Sequence, residues 1–243
     1  MSDSKPPARQ SGVKAPATRK SSSADIDAFV RQARAMAVPA SGGSGRLILA
    51  LDATMSRQPT WDLACRLQAE MFDAAGKAGN LEVQLVYFRG FGECRASRFV
   101  ADTGSLKTLM TKIDCRGGQT QIGKVLSHAL KETARGKVNA LVYIGDAMEE
   151  KVDELAEKAG RLGLHGVPAF VFQEGRDPAA ETAFREIARL SKGAWFRFDQ
   201  NAADTLRKLL SAVAVFAAGG LAALEARGRP EDRLMIAHMK GRK

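Results

Sequence analysis

Asp52, Thr54 and Ser56 stand at alternate positions directly after an apolar run, Leu47-Ile48-Leu49-Ala50-Leu51. One carboxylate and two hydroxyls from a single short loop are the oxygen donors that a hard cation such as Mg2+ takes. Two further segments carry the same kind of donor. Thr120 closes a glycine-rich loop, Cys115-Arg116-Gly117-Gly118-Gln119-Thr120, and Asp146 follows a second near-continuous apolar run, Val138 to Gly145. Any one of these is an ordinary turn or helix cap on its own. Three that converge would form an ion site.

Convergence requires a fold that brings the ends of separate strands together. Apolar runs this short, ending on a polar residue, read as buried parallel strands, here 46–52 and 138–145. Residues 81–88 form a second strand, Gly90 and Gly92 mark a turn, and 93–100 is its antiparallel hairpin partner. Further strands fall at 167–172 and 194–198. Between them lie helical patterns over about 59–78, 105–113, 122–130, 149–162, 178–190 and 202–216. In the third of these, Ile122, Val125, Leu126, Ala129 and Leu130 share one face. Asp177 caps the start of helix 178–190, with Pro178 in its first turn. Strands alternating with helices specify an α/β fold: a doubly wound, mostly parallel sheet of six strands, one antiparallel edge strand, and helices on both faces. In such sheets the site lies at the carboxyl ends of the strands.

The rest of the chain is organised around that domain. Residues 1–23, rich in Lys, Ser, Pro and Ala, read as a disordered basic tail. Residues 24–37 place Ile26, Phe29, Val30, Ala33 and Met36 on one face of a short amphipathic helix, so 24–40 is a separate element, and 41–45 is a Gly/Ser linker. The domain spans 46–216, and 217–243 is a C-terminal extension with a basic tail. The net charge is +10 over 243 residues. Residues 1–40 carry seven Lys/Arg against three Asp, and 226–243 carry six against two acids, so the excess sits mostly in the tails. That favours weak contact with nucleic acid or anionic surfaces over a dedicated basic face. Three scattered cysteines, no CxxC pair and no apolar signal core point to a reducing cytoplasm. Leu209 to Leu224 is uncharged and reads as a buried or partner-facing helix, without stable membrane insertion. His128, His165 and His238 have no His or Cys partner at metal spacing and read as surface residues.

With these elements in place, the chain resembles a von Willebrand factor A (VWA) domain with a metal-ion-dependent adhesion site (MIDAS). The carriers are D-x-[ST]-x-S at 52–56, Thr120 after a glycine-rich turn, and Asp146 ending the next buried strand. The resemblance covers about 45–216, including the hairpin strand in third place. Thr54 stands where Ser is commoner, Ala147 where Gly often follows the aspartate, and Gln119 and Gln121 flank Thr120; the ligand set is intact. The resemblance implies that Thr54 and Ser56 ligate the ion directly, that Asp52 and Asp146 hold it directly or through water, and that Thr120 binds when a ligand is engaged. It implies Mg2+, with Mn2+ as the alternative, and an open position for a carboxylate of an acidic protein partner. It also implies a non-enzymatic interaction domain, and intracellular bacterial members suggest an AAA+ ATPase as partner. Without metal, repulsion between Asp52 and Asp146 should raise one pKa. Two other readings differ in kind: a Mg2+-dependent phosphohydrolase, for which Thr54 lacks the acid/base carboxyl, and a scaffold binding RNA or anionic surfaces through its basic tails.

Overall fold

The computed structural model describes residues 45–58, 61, 81–198 and 203–240. The basic tail 1–23, the amphipathic helix 24–37, the linker up to residue 44 and nearly all of helix 59–78 lie outside them. The elements are β1 (Gly45–Asp52), β2 (Leu81–Arg89), β3 (Glu93–Val100), α1 (Thr103–Met110), α2 (Ile122–Arg135), β4 (Ala140–Gly145), α3 (Val152–Leu164), β5 (Ala169–Glu174), α4 (Pro178–Leu190), β6 (Ala194–Phe198), α5 (Ala203–Arg227) and α6 (Pro230–Met239).

The strands form one sheet in the order β3-β2-β1-β4-β5-β6. Only β3 runs antiparallel, as β2's hairpin partner. β1 and β4 are buried on both faces, which is why their sequences read as unbroken apolar runs rather than alternating ones. The two-residue period of the pleat sends their side chains to two cores. Leu47, Leu49 and Leu51 enter one with Leu206, Leu210, Val213 and Ala217 of α5. Ile48 and Ala50 enter the other with Val125 and Ala129 of α2, Leu155 and Leu162 of α3, and Phe184 and Ile187 of α4. Complete burial of each such Leu, Ile or Phe is worth about 1.5–3 kcal/mol. α4 begins as expected: the Asp177 side chain accepts from Ala180 N at 2.6 Å, and Pro178 fills the first turn.

The C-terminal region corrects the sequence reading. The last helix, expected to end near Phe216, continues as α5 to Arg227, kinked at Gly220 (φ 69°). α6 follows, and the segment assigned to an extension closes the first core: Leu224 and Met235 are both fully buried. Part of its charge is internal too, since Arg227 pairs with the buried Asp232, whose Oδ2 also accepts from Arg229 N at 2.9 Å. The glycine pair at 219–220 hid this continuation, because a local break in propensity does not prevent two helical pieces from packing on one core. Met235→Ala should therefore cost about 2–5 kcal/mol in urea unfolding; a loss under 1 kcal/mol would show that α6 is dispensable. Residues Asp204–Arg227 are long and apolar enough to cross a membrane by length and composition. In the fold this helix lays Leu206, Leu209, Leu210, Val213 and Ala217 into the core.

Chain order along the sheet reverses between β1 and β4, because β1 leads to β2 on one side while β4 lies on the other. The loops leaving these two strands diverge there, at the carboxyl ends where sites in such sheets lie.

Candidate metal centre

β1 ends on Asp52, which is fully buried. Its Oδ1 accepts from Thr54 N at 2.8 Å. Thr54 is extended (φ −75°, ψ 165°) and starts a single 3-10 turn, Met55–Arg57. That turn brings Thr54 Oγ1 and Ser56 Oγ to 3.1 Å, so the two hydroxyls the resemblance singles out share one spot. Thr54 is buried and Ser56 exposed, so the pair faces from the core to the surface.

The glycine-rich loop is fastened alongside. Arg116 N donates to Ala53 O at 3.0 Å, and Thr54 and Arg116 form a β-bridge. Gln119 N and the Gln121 side-chain amide both donate to Gly90 O, at 3.2 Å. The loop lies so close to the β2–β3 hairpin that a Cβ on Gly118 would sit 2.1 Å from Gly90 O. Thr120, at the end of the loop, is buried and is joined to the loop after β4: its N donates to Glu149 Oε2 at 3.0 Å, and Glu149 N donates to its Oγ1 at 3.1 Å.

β4 supplies Asp146. Leu51 and Ile144 are register partners, so Asp52 and Asp146 leave adjacent strands at the same edge. The Asp52 carboxyl is pushed up to about 6, mainly by burial, with a smaller push from Asp146. The two hydrogen bonds from Thr54 and the Arg57 charge pull the other way. The expected carboxylate repulsion is therefore present, but desolvation outweighs it. Among the described residues, buried Asp52 Oδ2 and Asp146 Oδ1 have no hydrogen-bond partner. Unsatisfied buried carboxylate oxygens are costly and rare. Two of them beside a hydroxyl pair fit a divalent cation with oxygen preference. No group of three or more His, Cys, Asp or Glu is suited to a metal among the described residues. A site here for an oxygen-preferring ion would have to draw on the hydroxyls as well as the two acids.

Sequence reasoning missed Arg57. It is buried, although it follows the motif directly and its residue type is almost never fully buried unless paired. It ion-pairs with Glu174 at the end of β5. Burial pulls its pKa down, and the charges of Asp146 and Asp52 push it back up. The guanidinium thus spans from the β1 loop across the end of β4 to β5. Glu149 and Glu150, just past Asp146 in sequence, serve the start of a distant helix. Glu150 accepts from Ile122 N and, at 2.9 Å, from Gly123 N. With Glu149 on Thr120 N, the pair satisfies the orphan amides and positive end of α2, whose own Gln121 provides no side-chain cap. Cys115 is buried and its thiol is pushed up to about 11, chiefly by desolvation, so it is a quiet thiol. Among the histidines, His128 departs from the surface reading: its Nε2 lies 2.8 Å from Gln84 Oε1 on β2.

No family model matches the chain, and no curated protein matches it significantly. Solved structures do. An aerotolerance-related membrane protein from Bacteroides fragilis is 20% identical, with a TM-score of 0.57 over 71% of this chain and 98% of that one. A von Willebrand factor type A protein from Catenulispora acidiphila is 15% identical, TM-score 0.58, over 72% of this chain and 43% of that one. Mussel byssus proximal thread matrix protein 1, with a zinc-occupied MIDAS motif, is 18% identical, TM-score 0.57, over 72% of this chain and 46% of that one. This chain thus spans less than half the length of the last two. The architecture is that of a doubly wound α/β domain with one antiparallel edge strand. More specifically, the chain has the VWA fold.

Proposed function

We propose that the chain is a non-enzymatic, metal-dependent protein-interaction domain. The observation that carries this is the pair of buried carboxylate oxygens, on Asp52 and Asp146, with no hydrogen-bond partner among the described residues, at the edge where Thr54 and Ser56 bring their hydroxyls together. Asp52, Thr54, Ser56, Thr120 and Asp146 would hold Mg2+, with Mn2+ able to take its place. When bound, the ion supplies a Lewis-acid position that an incoming carboxylate can occupy. Everything else is the work of the chain. The Thr54 amide orients Asp52, the 3-10 turn sets the hydroxyls, and the Glu149 link ties Thr120 to the Asp146 loop. Two carboxylates rather than three leave the ion electron-poor, which favours an acidic partner group. A zinc-occupied MIDAS motif in a protein of the same fold supports a divalent cation. We place the domain in a reducing cytoplasm, with an AAA+ ATPase as its partner class, as the resemblance to intracellular bacterial VWA domains implies.

The test is a thermal-unfolding titration with MgCl2 and MnCl2 against EDTA. Metal at 100 times its Kd should add about 2.7 kcal/mol, and no shift with either ion would end the metal reading. Capture of an acidic partner should vanish with EDTA. Capture that persists in EDTA but collapses with salt would mean the basic tails do the binding.

Acidity gives a separate prediction. A proton and the ion compete for Asp52, whose pKa is about 6 in the folded protein. Metal affinity should be flat above that value and fall about tenfold per unit below it. Calorimetric Mn2+ titrations at pH 5, 6 and 7.5 would read this, and a flat profile would remove Asp52 from the ligand set.

A further inference from the structure

A third buried oxygen in the same neighbourhood also lacks a hydrogen-bond partner among the described residues: the hydroxyl of Tyr143. Tyr143 is in β4, only 2% exposed, with its ring between Phe88 (centroids 6.3 Å apart, stacked) and Phe184 (5.3 Å, edge-on). The ring is accounted for as core; the hydroxyl is not. Placing a hydroxyl where nothing bonds it is a net cost, and a Phe would fill the same space without it.

The register shows where that hydroxyl goes. Tyr143 and Gly145 lie on the same face of β4, two residues apart. Ala50 of β1 is the partner of Tyr143, so two residues on, Asp52 is level with Gly145 on that face. Gly145 has no side chain, and a Cβ there would come 2.4 Å from Tyr143 Oη. The hydroxyl therefore occupies the space a side chain at 145 would take and reaches along the strand towards the carboxyl end. There the charges of Asp52, Asp146 and Glu150 act on it. Burial holds the phenol well above its ordinary pKa, so it keeps its proton and remains a donor.

We propose that Tyr143 is a positioning residue of the metal centre, its hydroxyl donating a hydrogen bond to the oxygen shell of the bound cation from the core side. This rests on the metal reading above. It explains three features together: the partnerless Oη, the absent side chain at 145, and a tyrosine where the aromatic core asks only for a ring. The residue would not touch a partner carboxylate. It would hold the buried oxygens in place so that the open position faces outward.

The test is Tyr143→Phe, which keeps both ring contacts and removes only the oxygen. Mn2+ affinity is measured by calorimetry, and metal-free stability by urea unfolding, on the full chain. The expected result is a tenfold or greater loss of Mn2+ affinity, with metal-free stability equal to or above the wild type. Unchanged affinity would overturn the proposal. So would a clear loss of metal-free stability, because the hydroxyl would then already have a structural partner. Wild-type protein that binds no Mn2+ at all would overturn the metal reading itself, and this proposal with it, which separates the two failures.

Discussion

Asp52→Asn should make the metal-free protein more stable at pH 7 while abolishing its stabilisation by Mg2+ or Mn2+. The reasoning is one of sign. The folded-state pKa of about 6 lies above the ordinary 3.8, so the folded protein holds the proton more tightly than the unfolded chain. Between about pH 4 and 6 the native state binds the extra proton, and stability from this group falls as pH rises. Above 6 the full cost of an ionised, buried carboxylate is present. About two pKa units correspond to about 3 kcal/mol at most. Asn keeps the shape and still accepts from the Thr54 amide, so the variant escapes most of that cost. The advantage should shrink as pH is lowered from 7 towards 4. Urea unfolding at several pH values, with EDTA and with Mn2+, reads both halves. An Asn variant that is less stable than wild type in EDTA, or that still gains stability from Mn2+, would refute the assignment of Asp52 as a ligand held ready for an ion.

Arg57→Leu should have the opposite effect, a loss of about 3–5 kcal/mol in EDTA. Arg57 is almost wholly buried and pairs with Glu174, itself largely buried, while its charge also acts on Asp52 and Asp146. Removing it leaves carboxylates from the ends of three strands without their nearest shared cation. Part of the loss should return in Arg57→Leu/Glu174→Gln, since replacing both members of a buried pair costs less than removing one. A single-variant loss below about 1 kcal/mol would show that the guanidinium is not what neutralises this edge of the sheet.

The two experiments bracket how this end of the sheet tolerates its own charge. Asp52 is wholly buried, Asp146 buries its Oδ1, and Arg57 partly compensates their charge. The compensation is incomplete, as the raised Asp52 pKa shows, and a divalent ion would complete it. Arg57 would therefore hold this end of the sheet together without metal, yet leave carboxylate oxygens over for one.

Much of this was visible in the chain. The runs 47–51 and 138–145 announced buried parallel strands, because a strand covered on both faces has no polar side to alternate with. Alternate placement of Asp52, Thr54 and Ser56, and the strand-end position of Asp146, depended only on local spacing. The Asp177–Pro178 helix start was likewise local chemistry, and it stands as read. What the chain concealed depends on contacts between distant segments. Glu150 caps a helix 27 residues earlier in sequence. Met235 completes a core begun at Leu47. Neither pairing leaves a periodic or local mark.

The sequence by itself determined the sheet, its two buried central strands and the oxygens at their tips, because period, apolar run length and turn residues act over a few positions. Tertiary structure alone decided that an arginine beside the motif lies buried, that two glutamates serve another helix, and that Tyr143 reaches over Gly145 towards Asp52. Those outcomes depend on strand register and on which charged groups from distant segments end up side by side, and neither is written in the spacing of any one segment.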